Sequence, residues 1–218
     1  MIPLAAAVRA IPASQTPGGL TTAEAAATTE SLSGQYIQTT WTVQEGLPQN
    51  SVNAILQTRD GYLWIGTFGG LARFDGVRFT VFDSANTPGM KANRILSLYE
   101  DRAGVLWIGT ETGEVMSFKG AEVRTFTTRD GLPGGLIWCF FEDHDGVLWI
   151  GTTKGLTRWQ QGNIKTYTKE DGLAGDIVWS IYGDRPGHLL LGTDRGLTEF
   201  SNGRGIPRDP RGGLRTVR

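Results

Sequence analysis

The sequence predicts an all-β fold, a β-propeller of about four four-stranded blades. A Leu-Trp-Ile-Gly-Thr motif occurs three times and returns once as Leu-Leu-Leu-Gly-Thr, with its glycines at Gly66, Gly109, Gly151 and Gly192. The intervals between these glycines are 43, 42 and 41 residues, and periods of about 40–50 residues are typical of propeller blades or arrays of helical pairs. Glycine accounts for 31 of the 218 residues. This frequency favours turn-dense β-structure, because each glycine inside a helix costs about 1 kcal/mol.

A second marker, glycine followed by a large apolar residue, keeps the same rhythm. It occurs as Gly46-Leu47-Pro48, Gly89-Met90, Gly131-Leu132-Pro133 and Gly172-Leu173-Ala174. Two markers in phase over four copies define repeat units at about 41–83, 84–127, 128–170 and 171–203, within a propeller domain of residues 35–203.

Each unit contains four short β-favouring runs separated by turn signals. In the first unit these runs are Val52–Thr58, Tyr62–Thr67, Leu71–Phe74 and Val77–Phe82. Asp60-Gly61 and Asp75-Gly76 separate the first two and the last two runs, and such dipeptides favour tight hairpin turns. Four strands in about 42 residues match one propeller blade.

The two ends of the chain differ from the repeats. Residues 1–34 are rich in Ala, Thr and Pro and are predicted to be a disordered leader or a degenerate signal peptide. Residues 204–218 are predicted to be a disordered basic tail, interpreted either as a nucleic-acid arm or as the mark of a truncated or frame-shifted reading frame. The fourth unit then lacks an outer strand, and residues 36–42 are a candidate to supply it and close a four-bladed ring. The alternative is an open arc whose exposed blade edges favour self-association.

Composition excludes several classes of protein. A formal net charge of −1 gives no electrostatic footprint for nucleic acid. The single cysteine, Cys139, excludes an intrachain disulfide or a cysteine-based metal cluster. No run of 18 apolar residues is present, so no membrane segment is predicted in this chain. No metal and no cofactor are predicted.

Some positions are alike in every repeat and indicate scaffold. Trp64, Trp107 and Trp149 are predicted to pack between neighbouring sheets, with sugar stacking as the alternative. A column of small residues on the inner strand consists of Ala54, Ser97, Cys139 and Ser180. Cys139 is therefore predicted to be a small core residue rather than a reactive thiol.

Other positions vary from repeat to repeat and indicate a binding surface. They belong to the start of the inner strand and to the loop after each Gly-Thr. Phe68 is another variable residue of this loop. In a propeller both segments lie on one face. The predicted ligand-binding residues are Asn50, Asn53, Arg94, Glu111, Trp138, Lys154, Trp179 and Arg195. Aromatic platforms beside hydrogen-bonding groups suit a polar ligand. The alternatives are ordinary loop variation and, for Trp138 and Trp179, plugs of the central channel.

Catalysis has little support in the sequence. His144 and His188 are the only histidines, and both belong to turns between first and second strands. Neither accompanies a recognisable nucleophile motif or a metal-spaced histidine pair. The acidic residues mostly adjoin glycines in turns, as expected of turn formers. The sequence therefore predicts no enzyme, with the lyases and glycosidases known among propellers as the alternative.

The motifs resemble the two-component regulator propeller repeat over roughly residues 36–203. The resemblance rests on the Leu-Trp-Ile-Gly-Thr core, the preceding Asp-Gly, the following Gly-Leu pairs and the segment Trp41–Pro48. It implies the periplasmic sensor region of a bacterial hybrid histidine kinase, with carbohydrate fragments as ligands. The family has seven blades, often twice, followed by an immunoglobulin-like domain, a membrane helix and a kinase.

The chain departs from that pattern in its number of repeats and in the domains that accompany them. It has about four repeats, and its sequence holds no membrane helix, no phospho-accepting histidine in a helical context and no nucleotide-binding motif. The expected function is a non-catalytic ligand-sensing module for an oligosaccharide or another small polar ligand. The alternatives are a protein-interaction scaffold and a truncated, non-functional fragment.

Overall fold

The computed structural model describes residues 31–32, 36–120 and 122–208. The chain divides into two compact units, Met1–Thr40 and Trp41–Arg218. In the first unit, strand β1 (Ser31–Leu32) pairs antiparallel with β2 (Tyr36–Ile37). The prediction of a disordered leader is therefore wrong for Ser31 and Leu32, whose backbones are held by this pairing. The other leader residues, 1–30 and 33–34, lie outside the described residues.

The second unit contains four four-stranded antiparallel sheets, each formed by consecutive strands. We call these sheets blades 1 to 4. Blade 1 is β3–β6, Val52–Gln57, Leu63–Thr67, Leu71–Phe74 and Phe79–Phe82. Blade 2 is β7–β10, Ile95–Glu100, Leu106–Thr110, Val115–Lys119 and Glu122–Phe126. Blade 3 is β11–β14, Ile137–Glu142, Leu148–Thr152, Gly155–Gln160 and Asn163–Tyr167. Blade 4 is β15–β18, Val178–Arg185, His188–Thr193, Gly196–Ser201 and Arg204–Pro207. This architecture confirms the predicted all-β propeller of four blades.

The Gly-Leu marker corresponds to a loop that leads into a blade. Single-turn 3₁₀ helices at Val43–Glu45, Thr128–Asp130 and Lys169–Asp171 precede blades 1, 3 and 4. Each begins at a threonine in a reciprocal capping box and ends at a glycine in the left-handed region, such as Gly46 at φ 110°, which disfavours residues with a Cβ. None of the helices in the described part of the chain is long and apolar enough to cross a membrane.

Adjacent blades pack through aromatic triads that include the motif tryptophan. Trp64 contacts Phe82 of its own blade and Phe118 of blade 2, with ring centroids 5.5 and 6.0 Å away. The same arrangement recurs twice, as Trp107–Phe126–Trp159 and as Trp149–Tyr167–Phe200. Trp64 and Trp149 are buried, so the predicted packing of the tryptophans between sheets is confirmed.

The structure corrects the prediction for both ends of the propeller. Arg204–Pro207 is strand β18, which pairs with β17 from Thr198↔Pro207 to Ser201↔Arg204, so blade 4 has its own outer strand. The composition pointed to a tail, but an outer strand needs only backbone pairing, and Gly205 is buried against Gly172. The rest of the predicted tail, residues 209–218, lies outside the described residues.

Residues 36–42 do not form the predicted outer strand. Only Tyr36–Ile37 is a strand, and its partner is β1. Thr42 caps the first 3₁₀ helix, and Trp41 packs on Phe74 and Phe79 of blade 1. These contacts hold Trp41 and Thr42 in a loop instead of a strand.

Candidate functional site

A β-bulge interrupts the inner strand of every blade at the same position. The pairing register shifts between Val52 and Ala54 in blade 1, and the same shift recurs in the other three blades. The bulged residues are Asn53, Leu96, Trp138 and Trp179. Bulges redirect a side chain and are over-represented next to functional sites. One variable column of the inner strand is therefore released from the strand ladder.

Backbone hydrogen bonds join the two groups of variable loops. Glu111 donates to the carbonyl of Arg94 at 2.9 Å, and Thr153 donates to that of Leu136 at 3.1 Å. Asp194 repeats the bond with Ile177 in blade 4. The loop after each of these second strands thus lies beside the start of the inner strand, as predicted. We call the surface formed by these loops and the bulged residues the loop face.

Two predicted site residues, Trp138 and Trp179, are in contact across blades 3 and 4. Their ring centroids are 4.8 Å apart and their planes are tilted by 48°. Trp179 is 46% exposed. The Nε1 atom of Trp138 is buried and has no protein hydrogen-bond partner. Since buried indole N–H groups usually find an acceptor, this donor is an unusual feature of the loop face.

Arg94 and Glu111 form a second group, in blade 2. The Arg94 guanidinium is paired with the Glu111 carboxylate and lies 4.1 Å from the centroid of the Phe68 ring of blade 1. Phe68 belongs to the same loop column as Glu111 but was not among the predicted site residues. Its column was the signal that could have identified it.

The other four predicted site residues make different polar contacts. Asn50 accepts a hydrogen bond from the backbone of Val43 at 2.8 Å, and Asn53 donates to the carbonyl of Ile95 at 2.9 Å. Both bonds are structural, because they brace a loop and join two blades. The backbone N–H groups of Lys154 and Arg195 donate to the hydroxyls of the threonines that end the preceding strands. In the described part of the chain, no hydrogen bond or cation–π contact joins these four residues to the tryptophan pair.

A small cavity lies away from the loop face, between blades 3 and 4 at their first turns. Its volume is about 180 Å³, and its lining includes Asp143, Trp149, Arg158 and Phe200. Binding pockets typically enclose about 300–1,000 Å³, so this cavity is a packing gap. Asp143 accepts hydrogen bonds from Trp149 Nε1 and from two turn N–H groups, which gives this carboxylate a structural role.

The remaining candidates for chemistry also have structural environments. Burial raises the pKa of the Cys139 thiol to about 12, and a thiol protonated at neutral pH is a poor nucleophile. His188 contacts Asp184, and this hydrogen bond lowers the pKa of the Asp184 carboxyl. Within the described residues, no group of three or more His, Cys, Asp and Glu side chains could hold a metal ion.

Comparison with protein families identifies the repeats. Residues 46–69, 89–112 and 131–154 match the family described as two component regulator propeller. These three segments are similar to two-component regulator propeller repeats and together cover 72 of the 218 residues. Each matched segment runs from the Gly-Leu or Gly-Met marker through the Leu-Trp-Ile-Gly-Thr strand. The fourth repeat, in which Leu190 replaces the tryptophan, is outside the matched segments.

Solved structures with the same fold include extracellular domains of bacterial two component and one component systems. The extracellular domain of a putative hybrid two component system from B. thetaiotaomicron is 24% identical, with a TM-score of 0.68 over 78% of this chain and 24% of that one. That of a putative one component system from the same organism is also 24% identical, with a TM-score of 0.64 over 77% and 24%. The virginiamycin B lyase of Staphylococcus aureus is 15% identical, with a TM-score of 0.55 over 72% and 54%.

These likenesses establish the fold. The repeat chain spans about a quarter of the length of the two sensor domains, 24% in both cases. No curated protein matches the chain.

Proposed function

We propose that the chain is a non-catalytic ligand-sensing module of an extracytoplasmic two-component sensor. In this proposal it binds a carbohydrate fragment, or another small polar ligand, on the loop face. The observation that carries the proposal is the contact between Trp138 and Trp179, which stand on adjacent bulges and leave one indole N–H buried without a protein acceptor.

Sugar chemistry suits this pair. A pyranose ring presents C–H groups on its faces and hydroxyls at its rim, so that it stacks on an aromatic ring while its oxygens accept hydrogen bonds. Trp179 offers a half-exposed ring for stacking. The Trp138 N–H is a donor without a competing protein acceptor, and it becomes available to a ligand when the two rings separate. A few convergent polar groups beside apolar surface are typical of small-ligand sites.

Family and neighbours support a sensor over an enzyme. The matched repeats are those of two-component regulators, and two of the similar structures are extracellular domains of signalling systems. A lyase shares the fold, but here Asp143 is used in a turn and the Cys139 thiol is buried.

The proposal is tested by screening a panel of short neutral and acidic oligosaccharides against the intact chain, with binding followed by tryptophan fluorescence and calorimetry. We expect Trp138→Ala and Trp179→Ala to weaken the best binder by about tenfold or more, which corresponds to at least 1.4 kcal/mol. Leu96→Ala is the matched control, because Leu96 occupies the same bulge in blade 2. The absence of binding across the panel, or unchanged affinity in both tryptophan variants, would contradict the proposal.

A further inference from the structure

Blades 2, 3 and 4 each pack a β-branched side chain of the inner strand on the central glycine of the preceding blade. We call this side chain the knob and this glycine the seat. Ile95 packs on Gly66, Ile137 on Gly109 and Val178 on Gly151. A Cβ atom added to Gly66 would lie 2.6 Å from Ile95 Cγ2, and one added to Gly109 would lie 2.5 Å from Ile137 Cγ2. Ile95, Ile137 and Val178 are all fully buried. The knob and the seat are therefore in close contact, and only glycine at the seat leaves room for the knob.

Blades 1 and 4 each carry half of the same contact. Val52 occupies the knob position of blade 1 and is 40% exposed. Gly192 occupies the seat position of blade 4, and a Cβ added there would meet only Ser180, on the neighbouring strand of the same blade, within 4 Å. Among the described residues, the knob of blade 1 has no seat and the seat of blade 4 has no knob.

The apolar residues around the knob and the seat are likewise covered in the internal blade contacts and exposed at the two ends. One position further along the face, Leu98, Phe140 and Ile181 pack against the cluster shared with the preceding blade, whereas Ile55 is 50% exposed. On the opposite face, Leu56, Tyr99 and Phe141 pack against the following blade, whereas Tyr182 is 61% exposed.

One polar bond between blades also has matching halves at the two ends. Ser97 Oγ donates to the carbonyl of Ile137 in the next blade at 3.0 Å, and Ser180 and Val52 occupy the corresponding positions. The bond from the backbone of Arg102 to Glu142 Oε2, at 2.8 Å, has no such match, because Arg185 at the donor position pairs with His188 in its own hairpin.

We propose that blade 4 of one copy of this chain receives blade 1 of a second copy in the geometry of the internal blade contacts. Val52 is then seated on Gly192, Ile55 and Tyr182 are covered, and Ser180 donates to the Val52 carbonyl. The contact is heterologous, because it joins two different surfaces, and such contacts form rings where the rotation closes. Two copies supply eight blades, which is the upper end of the typical range of about four to eight.

The experiment measures the mass of the full chain by light scattering coupled to gel filtration, over a series of concentrations. We expect twice the monomer mass of 23.7 kDa at high concentration. Val52→Glu and Gly192→Glu each place a charge in the contact, and each should weaken association by about tenfold or more. Tyr182→Glu is a second variant on the blade 4 face, at an exposed site where folding is unaffected. Val77→Glu is the matched control, since Val77 is 88% exposed in a turn of blade 1.

Mixing the variants distinguishes this contact from a symmetric one. Val52→Glu keeps an intact blade 4 face and Gly192→Glu keeps an intact blade 1 face, so the mixture should form a heterodimer through one good contact. The proposal is overturned by a wild-type chain that stays monomeric at all concentrations. It is also overturned by single variants that dimerise at the same concentration as the wild type, or by a mixture that associates no better than the single variants although circular dichroism shows both variants folded.

Discussion

The contact between blades 3 and 4 differs from the other two blade contacts at its first-turn end. In the contacts of blades 1 and 2 and of blades 2 and 3, an arginine in one turn faces a glutamate of the next blade, as Arg59–Glu100 and Arg102–Glu142. In the third contact these positions are occupied by His144 and Gly183. The Phe141 ring lies where a Gly183 side chain would be.

This difference shows that one end of the blade contact can be polar or apolar while the rest stays the same. All three contacts keep the aromatic triad around the motif tryptophan and the knob on glycine. The knob is fully buried and the triad is buried or partly buried, whereas the arginines are half exposed. Buried apolar packing should therefore dominate the stability of all three contacts.

The largest expected effect comes from removing a triad tryptophan. Trp149 is buried against Tyr167 and Phe200, so Trp149→Ala should lower the free energy of unfolding by about 3–5 kcal/mol. Leu190 holds the same motif position in blade 4 but is only half buried, so Leu190→Ala should cost less. Denaturant unfolding of both variants measures the difference. Equal losses would mean that the triad does not carry the contact.

A smaller effect should follow from giving blade 4 the residue that blades 2 and 3 have. Gly183→Glu restores the repeat pattern, yet a Cβ there would lie 2.7 Å from Phe141 Cε1 and closer still to Cζ. Overpacking of this kind costs about 1–3 kcal/mol. The double variant Phe141→Ala/Gly183→Glu should lose less than the sum of the two single variants, because the smaller side chain leaves room. Thermal melts measure all three, and a stabilised Gly183→Glu would show that the apolar end is not close-packed.

The repeat allowed most of the fold to be predicted from the sequence, because the first three strands of a blade were identified in four copies and the outer strand in three. Strand β18 was missed for a physical reason: its residues, Arg204–Pro207, pair through the backbone, and only Gly205 among them is buried. Their composition therefore carries no strand pattern.

The candidate site was less predictable than the fold. Comparison of the repeats identified the variable positions, and the structure brings two of them, Trp138 and Trp179, into contact. The same comparison could not show that Asn50 and Asn53 are used in structural hydrogen bonds, or that the Phe68 ring lies against Arg94. Those facts depend on side-chain direction, which a column of a repeat does not specify.

The smallest expected effect on stability comes from removing the Arg102 side chain at the polar end of the contact between blades 2 and 3. The Arg102 side chain is 54% exposed, and its Nε lies 4.0 Å from Glu142 Oε2, so Arg102→Ala should cost less than about 1 kcal/mol, and less at high salt. Glu142→Ala should cost more, because the Glu142 carboxylate also accepts the backbone N–H of Arg102, and this donor would lose its partner. His144→Ala is the control at the corresponding position of the apolar contact and should change little. Urea unfolding at low and high salt gives all three values. If Arg102→Ala costs as much as Glu142→Ala, the backbone hydrogen bond adds nothing and the Arg102 side chain stabilises the polar end.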